Sequence, residues 1–173
     1  MKEIINRFDG DYYYLSNFYL CENGITFDGI TYTNSEAAFQ AQKTLNISER
    51  EFKFTKIGPS NAKMRGRRIK LRSDWEQVKD DLMYQIVKAK FIQNPDIAIQ
   101  LCSTGDAELI EGNTWHDNYW GDCTCRQCQL IDGYNMLGQI LMRVRFELRN
   151  SAEVQQRLDS YQDMIFKKYK KFK

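Results

Sequence analysis

The sequence predicts an α+β fold that is mostly α-helical, built as a single compact domain with a short N-terminal β-hairpin region. The Asp28-Gly29 pair lies between alternating apolar residues, a pattern typical of a tight hairpin. Further along the chain, capping residues, glycine and proline separate stretches whose apolar residues recur at helical spacing. The chain has 173 residues, of which 42% are hydrophobic, which suits one globular domain.

The N-terminal elements come first. Residues 12–32 are predicted to form short strands, the last two of which pair around the Asp-Gly turn. Asn34 or Ser35 then caps a first helix, because either side chain can accept a hydrogen bond from a free backbone amide. That helix is expected to run to about Leu45.

Two capping boxes mark later helices. In such a box a serine and a glutamate three residues apart bind each other's backbone amides at a helix start. Ser48 with Glu51 predicts one start, and Ser73 with Glu76 predicts another. Between them, Gly58-Pro59-Ser60 ends one helix and begins a third, short one. Behind the second box, apolar residues recur at helical spacing at Val78, Leu82, Ile86, Ala89 and Ile92.

The C-terminal half alternates between helices and a long loop. Asn94-Pro95 interrupts the chain, and residues 96–102 predict a further helix. Residues 108–111 predict a short strand, whereas residues 113–133 are polar, aromatic and turn-rich, with no periodicity. Asn135 caps a long helix whose core-facing residues are Leu137, Ile140, Leu141, Val144 and Leu148.

The end of the chain is predicted to lie outside the main domain, with the boundary between residues 1–150 and residues 151–173. Apolar residues keep helical spacing there, at Val154, Leu158, Tyr161 and Ile165, before a lysine-rich run. This amphipathic helix can touch nucleic acid or an acidic partner through its lysines. The simpler interpretation, which we favour, is a solvated helix end whose lysines complement the helix dipole.

Composition excludes several classes of protein. A formal net charge of +2 does not predict a nucleic-acid binder, and no apolar run approaches the length of a membrane span. The N-terminus has no apolar signal core, so we expect no secretion and no membrane partner. The five cysteines are an odd number, which suits a reducing cytoplasm better than a secreted disulfide framework.

Three of those cysteines crowd together and suggest a metal site. Cys123, Cys125 and Cys128, with His116 before them, can offer three thiolates and one imidazole to a structural zinc ion. The C-x-C-x2-C spacing is tighter than that of paired zinc knuckles, so free loop thiols, or a disulfide formed under oxidation, are the alternatives. We expect no cofactor to be required for catalysis, because no dinucleotide or P-loop glycine pattern is present. His116 is the only histidine, which argues against Ser-His-Asp hydrolysis and a catalytic metal.

Two distant segments carry the residue types needed to cleave a sugar–base bond. The first joins YLSNF at residues 14–18 to SEAAFQAQK at residues 35–43, and the second joins YWGD at 119–122 to NMLG at 135–138. Each combines a carboxylate with aromatic, amide and small residues. This chemistry needs carboxylates for a cationic sugar, rings for the base, and donors and cations for hydroxyls and phosphate.

The same segments resemble the NADAR (YbiA-like) family over about Phe8 to Arg149. Seven motifs follow in order, namely YLSNF, SEAAFQAQK, AKMRGRRIKLRSDWE, KAKF, TGDAELIE, YWGD and NMLGQILMRVR. Each is weak alone, but the ordered set is specific. The resemblance implies a compact, mostly helical fold and N-glycosidase chemistry on ribosylated bases. Its substrates would be phosphoribosylamino-pyrimidine intermediates of riboflavin synthesis, or ADP-ribose attached to guanine.

The resemblance also implies catalytic roles that the local sequence leaves open. Glu36, in the first turn of a helix, can simply complement the helix dipole, but the family keeps its catalytic glutamate at this position. Asp122 can be an ordinary turn former, whereas the YWGD match makes it the second carboxylate. Their separation, which would distinguish inversion from retention, cannot be read from the sequence.

The substrate-binding candidates are aromatic and amide residues. Trp75 and Trp120 are either core aromatics or rings that stack on the base or sugar, and the resemblance implies that both lie near the ligand. Asn17 is either a turn residue or a group that orients hydroxyls at the edge of the pocket. Asn135, at the start of the last motif, is a further candidate.

Cations would bind a phosphate on the sugar, although most such charges are simply solvated. The candidates are Lys43, Lys63, Arg67 and Arg72, of which Lys43 and Arg67 fall on family positions. The family more often has a basic residue where this chain has Met64.

The leading hypothesis is therefore an N-glycosidase acting on a ribose that bears phosphate or ADP. The lysine-rich tail and the long cysteine loop favour an ADP-ribosylated base, free or in nucleic acid, over a small phosphoribosyl intermediate. A non-catalytic module that binds ADP-ribose or NAD is the alternative, and a zinc-stabilised interaction domain is a third possibility.

Overall fold

A computed structural model of the protein describes residues 3–128, 130–152, 156 and 159–160. In chain order its elements are β1 (Ile4–Ile5), a 3₁₀ helix (Gly10–Leu15), β2 (Ile25–Phe27), β3 (Ile30–Tyr32), α1 (Ser35–Ala41), α2 (Ile47–Phe54), α3 (Pro59–Gly66), α4 (Trp75–Gln93), α5 (Pro95–Ser103), β4 (Glu108–Leu109), β5 (Gly112–Asn113), β6 (Asp122–Cys123) and α6 (Met136–Asn150). The predicted α+β, mostly helical class is confirmed. The predicted helix of residues 151–173 falls largely outside the described residues. Where residues are described, no helix is both long and apolar enough to cross a bilayer.

The predicted hairpin is formed by β2 and β3. Ile25 pairs with Tyr32 and Phe27 with Ile30, while Asp28 and Gly29 take φ values of 52° and 79°. Two consecutive residues with positive φ make the turn that best matches the twist of paired strands. The other short strands pair in parallel, β1 with β4 and β5 with β6.

The prediction of strands across residues 12–32 is wrong for its first part. Residues 10–15 form a 3₁₀ helix, in which the Tyr12 amide donates to the Asp9 carbonyl at 2.9 Å. The tyrosine-rich composition suits a strand, but Tyr14 and Leu15 are both buried, on adjacent positions that a half-buried strand would point to opposite faces.

The helices begin close to the predicted positions, but the residues that cap them are not always the predicted ones. Asn34 caps α1 by accepting from the Ala37 amide at 2.8 Å, and α1 ends at Ala41, before the predicted Leu45. For α2 the cap is Asn46, whose side chain accepts from the Glu49 amide at 3.0 Å. The cap is therefore the Asn46 side chain, two residues before the predicted Ser48.

The second predicted capping box does not form. Asp74 precedes α4 without capping it, because both of its carboxylate oxygens accept hydrogen bonds from Arg72, at 2.6 and 2.7 Å. The buried side chains of α4 also differ from the predicted stripe and include Met83, Ile86, Val87, Lys90 and Phe91. The predicted core face of α6 is buried as expected.

Helix α1 lies at the centre of the domain. All of its residues are buried, and it packs against α2, α3 and α4. Helix α4 in turn packs against α6 and the hairpin. The side chains of the first turn of α1 are therefore enclosed by the packed helices.

Candidate active site

A cavity of about 860 Å³ opens beside the first turn of α1. It brings together most of the residues selected from the sequence, namely Asn17, Glu36, Lys43, Lys63, Arg67, Trp75 and Trp120. These residues come from the N-terminal loop, α1, α3, α4 and the loop before α6. The cavity therefore unites the segments that the sequence placed far apart.

Glu36 is fixed in this cavity by its backbone and its side chain. Its backbone amide donates to the Asn17 carbonyl at 3.0 Å, which joins the first two motifs. Its Oε1 accepts from Gln40 Nε2, one turn along α1, at 2.9 Å. Burial raises the pKa of Glu36, while the Gln40 hydrogen bond and the charges of Lys63 and Lys43 act in the opposite direction.

The Gln40 side chain is itself held in place by a close approach of α3. A Cβ atom on Gly66, the last residue of α3, would overlap the Gln40 side-chain amide. Only glycine lets the two helices come this close. This contact sets the distance between Glu36 on α1 and the cations on α3.

Asn17 offers an unused acceptor to the cavity. Its Nδ2 lies 3.4 Å from the sulfur of Met83, while its Oδ1 is buried and has no hydrogen-bond partner among the described residues. A buried polar atom without a partner is costly, and a ligand hydroxyl or N–H would satisfy it.

Glu111 is a second acidic group in the cavity that the sequence analysis did not assign. Burial, and then the charge of Asp117, raises the pKa of Glu111 to about 7. Its Oε2 is buried and lacks a hydrogen-bond partner among the described residues. Glu111 ends the TGDAELIE motif, but nothing in the local sequence indicates that its carboxyl group faces a cavity.

Asp117 is a third cavity-lining acid that the sequence analysis missed. Its Oδ1 accepts from the backbone amides of Tyr119 at 3.2 Å and Trp120 at 2.9 Å. This carboxylate therefore orders the loop that carries Trp120. The position of Asp117, three residues before Trp120, was the one feature of the sequence that could have indicated its place in the site.

Two of the predicted site residues do not line the cavity. Asp122 lies outside the cavity lining, and its Oδ1 accepts from the Gly133 amide at 2.9 Å, which is the turn-forming alternative. Asn135 also lies outside the lining, and its side-chain amide binds the backbone of Leu109 and Glu111. Its position before α6 has φ of 50°, and its side chain does not cap that helix.

Aromatic rings form one wall of the cavity. Phe39 of α1 lies between Trp75, at a centroid distance of 5.0 Å, and Trp120, at 5.3 Å. Trp75 is only 6% exposed, so its ring serves the core as well as the cavity. Trp115 also lines the cavity but is 61% exposed, which leaves its ring available to a ligand.

Three cations of the lining have no ion-pair partner within the described part of the chain: Lys43, Lys63 and Arg67. Burial lowers the pKa of Lys43, and the charges of Lys63 and Arg67 lower it further, against the opposing effect of Glu36. Arg72, by contrast, is paired with Asp74 at 2.6 Å and lies outside the lining. Mutually repelling cations in a cavity are a site for an anion.

Three of the four predicted metal ligands meet outside the cavity. His116, Cys125 and Cys128 lie close together in the loop between β5 and α6, and all five cysteines are free thiols. The cavity and this cluster share one loop, because His116 immediately precedes Asp117.

Comparisons with known proteins agree with the motif order. The NADAR domain model matches residues 5–149. N-glycosidase YbiA of Shigella flexneri is 39% identical over 140 residues, which are 80% of this chain and 82% of that protein. The NMR structure of YbiA from E. coli superposes with a TM-score of 0.71 at 37% identity, covering 86% of this chain and 87% of that one.

One further relative is much longer than this chain. Riboflavin biosynthesis protein VVA0006 of Vibrio vulnificus is 36% identical over 148 residues, which are 83% of this chain but only 38% of that protein. The similarity therefore concerns one part of the Vibrio protein.

Proposed function

Because the chain belongs to the NADAR domain family, we propose that it is an N-glycosidase that hydrolyses the C1′–N bond between a nitrogen base and a phosphorylated or ADP-linked ribose. The observation that carries the proposal is a pair of glutamates, the buried Glu36 and the half-buried Glu111, in one cavity with unpaired cations. The similarity to N-glycosidase YbiA over most of both chains supports the same reaction class.

In this proposal Glu111 is the proton donor. With a pKa of about 7 it keeps its proton in a large fraction of molecules at neutral pH, and a general acid works best near its operating pH. As the C1′–N bond breaks, its electron pair moves to the base nitrogen, which takes the Glu111 proton. The base then leaves as a neutral molecule.

Glu36 stabilises the sugar side of the breaking bond. The sugar becomes cationic at C1′, and a carboxylate beside it lowers the energy of that charge. Burial raises the pKa of Glu36, and the Gln40 hydrogen bond together with the charges of Lys63 and Lys43 opposes that shift by favouring the ionised form that this role needs. A water molecule attacks C1′ and gives its proton to a carboxylate, for which Glu36 and Asp117 are the candidates from the lining.

The rest of the lining would hold the substrate. Lys43, Lys63 and Arg67 would bind phosphate oxygens, since guanidinium and ammonium groups make charge-assisted hydrogen bonds to them. The wall of Trp75, Phe39 and Trp120 would lie against the base, and the free Oδ1 of Asn17 would accept a bond from a hydroxyl.

The preferred substrate in this proposal is ADP-ribosylated guanine. Three unpaired cations exceed the need of one phosphate and suit a diphosphate. A phosphoribosylamino-pyrimidine is the second candidate, favoured by the similarity to a Vibrio protein that bears the name of riboflavin biosynthesis. A single phosphate would then occupy only part of the cationic region.

Parallel turnover of the two substrates tests the proposal. Purified protein is incubated with each, and the released base and sugar phosphate are separated and quantified by chromatography. Release of base by the unchanged protein, lost in Glu36→Gln, supports the N-glycosidase. Tight binding of ADP-ribose with no base released from either substrate would favour the alternative, a binding module.

A further inference from the structure

The loop between β5 and α6 gathers metal-binding side chains away from the cavity. One ligand atom from each of His116, Cys125 and Cys128 lies within 4.8 Å of the other two. His116 Nδ1 is 3.0 Å from Cys128 Sγ and 3.7 Å from Cys125 Sγ. Around a tetrahedral zinc ion, bonded nitrogen and sulfur atoms lie about 3.6 Å apart, so these separations are close to those that a metal would set.

Cys123 stands beside this cluster. Its sulfur accepts hydrogen bonds from the backbone amides of His116 at 3.2 Å and Cys125 at 3.4 Å. Its thiol is also a hydrogen-bonding neighbour of the Cys125 and Cys128 thiols. These two hydrogen bonds hold the Cys123 sulfur beside the His116, Cys125 and Cys128 cluster.

We propose that the loop is a structural zinc site of the three-cysteine, one-histidine type, with His116, Cys125 and Cys128 as ligands and Cys123 as the fourth. This donor set is one of the three common sets of closed, four-coordinate structural zinc. Binding replaces the thiol protons, which pass to solvent, and neither the metal nor the sulfur changes oxidation state. The proposal uses none of the cavity-lining groups and is independent of the proposed reaction.

Side-chain hydrogen bonds from Asn113, Asp117 and Asn118 help to order the loop, but it contains little regular secondary structure. Its two strands contain two residues each, and Leu130 and Ile131 are 93% and 62% exposed. His116 has φ of 67°, a left-handed conformation that costs a residue other than glycine about 1–3 kcal/mol and persists only when the surroundings enforce it. A bound zinc ion supplies that enforcement, because metal-binding free energy stabilises the folded form directly.

The zinc site would also organise the cavity wall. Asp117 follows His116 directly, and Trp115 precedes it, so a metal bound by His116 fixes the position of both cavity-lining neighbours. The far end of the loop returns through Cys128 to the start of α6. The metal would thus restrain the loop at both ends.

Metal content is the first test. Protein produced in zinc-supplemented medium and dialysed under reducing conditions should retain one zinc ion per chain by elemental analysis. His116→Ala, Cys125→Ser and Cys128→Ser should each lose most of it. Cys102→Ser is the matched control, since Cys102 is a half-buried free thiol on α5, and this variant should keep its zinc.

Cobalt substitution gives a readout that does not depend on activity. Cobalt bound to the unchanged protein should give the intense visible bands of a tetrahedral site and a thiolate charge-transfer band. Cys123→Ser should reduce the charge-transfer band by about a third, the share of one sulfur among three. A full band in Cys123→Ser would remove Cys123 from the ligand set and overturn the four-ligand proposal.

Thermal melting covers the case of variants that do not fold. A chelator stronger than the site should lower the melting temperature of the unchanged protein, and added zinc should restore it. The proposal is overturned if the zinc-supplemented protein contains no metal and melts identically with and without zinc. A disulfide among these cysteines in protein kept under reducing conditions would overturn it as well.

Discussion

The side chain of Asn135 holds the backbone of Glu111 in place. Its Oδ1 accepts from the Glu111 amide at 3.0 Å, and its Nδ2 donates to the Leu109 carbonyl at 2.8 Å. Asn135 stands at the start of α6, so the position of the cavity glutamate depends on a helix that begins well beyond it in the sequence. The contact also explains why the NMLG motif accompanies the site although Asn135 does not line it.

Glu111→Gln should remove activity and increase stability at high pH. A general acid typically contributes about 10²–10⁴-fold to the rate, and glutamine cannot donate the proton. Folding raises the pKa of Glu111 from 4.5 to about 7, so its contribution to stability is full below pH 4.5 and is lost as the pH rises to about 7. Glutamine never ionises. Above pH 7 the free energy of unfolding of the variant should therefore be higher than that of the unchanged protein by up to about 3 kcal/mol.

Denaturant unfolding and turnover at pH 5 and pH 8 measure both effects of Glu111→Gln. In the unchanged protein the turnover should fall as the pH rises through about 7. Equal stability differences at the two pH values, or unchanged turnover, would contradict the role of Glu111.

Glu36→Gln should keep the fold and lose about 10²–10⁴-fold in turnover. The amide oxygen can still accept the bond from Gln40 Nε2, so α1 is preserved, but the negative charge beside C1′ is gone. Glu51→Gln, an exposed change on α2, is the matched control and should be fully active. Full turnover in folded Glu36→Gln would remove this residue from the mechanism.

Asp117→Asn and Asp122→Asn separate the two candidates for a further carboxylate. Asp117 lines the cavity, whereas Asp122 only binds the Gly133 amide. We expect turnover to fall at least tenfold in Asp117→Asn and to stay within about twofold in Asp122→Asn, because a neutral amide oxygen can replace the turn contact. The reverse order would restore the original assignment of Asp122.

Arg67→Ala should weaken binding of the phosphate-bearing substrate. A hydrogen bond to a charged group is worth about 1.5–3 kcal/mol, which corresponds to an increase in KM of about 10–100-fold. Arg68 is the next residue, is equally exposed and lies outside the cavity lining, so Arg68→Ala is a matched control for the lost charge. The same KM in both variants would mean that Arg67 acts only through the general field of the protein.

Trp115→Ala and Trp120→Ala should both weaken ligand binding, but only Trp120→Ala should lower the stability of the fold. Both rings line the cavity, so both changes should weaken ligand affinity. Trp120 also packs on Phe39, and removing a large aromatic side chain from such a contact destabilises a protein by about 3 kcal/mol. Trp115 is mostly exposed and should leave the melting temperature nearly unchanged. Unchanged affinity in Trp115→Ala would show that its ring does not meet the ligand.

The sequence predicted the helices and the hairpin better than it predicted which residues cap the helices. The hairpin and the core face of α6 follow from local signals, because an Asp-Gly turn and a helical period need no distant partner. The start of α2 was misassigned because Asn46 and Ser48 are both good capping residues, and only the backbone path decides which one reaches a free amide. The box before α4 failed because the residue that precedes the helix is Asp74 rather than Ser73, and the Glu76 carboxylate accepts from Lys79 at 2.6 Å.

Site residues could be predicted from the sequence where they belong to a recognisable motif, and not elsewhere. Glu36 stands out in SEAAFQAQK, but Glu111 becomes an acid with a raised pKa only through burial and the approach of Asp117. Both effects are tertiary, and neither leaves a trace in the residues next to Glu111. Asp122 was selected because of the YWGD match, and the sequence does not show that its carboxylate binds the Gly133 amide while Asp117 lines the cavity.

The absence of a Cβ atom at Gly66 has a consequence for how such a site can evolve. The close approach of α3 to α1 sets both the support of Glu36 by Gln40 and the reach of Lys63 and Arg67. Any larger residue at Gly66 would disturb Glu36 and the anion-binding residues in the same step. New substrate preferences are therefore more accessible through the loop that carries Trp115, which can be lengthened or exchanged without moving either helix.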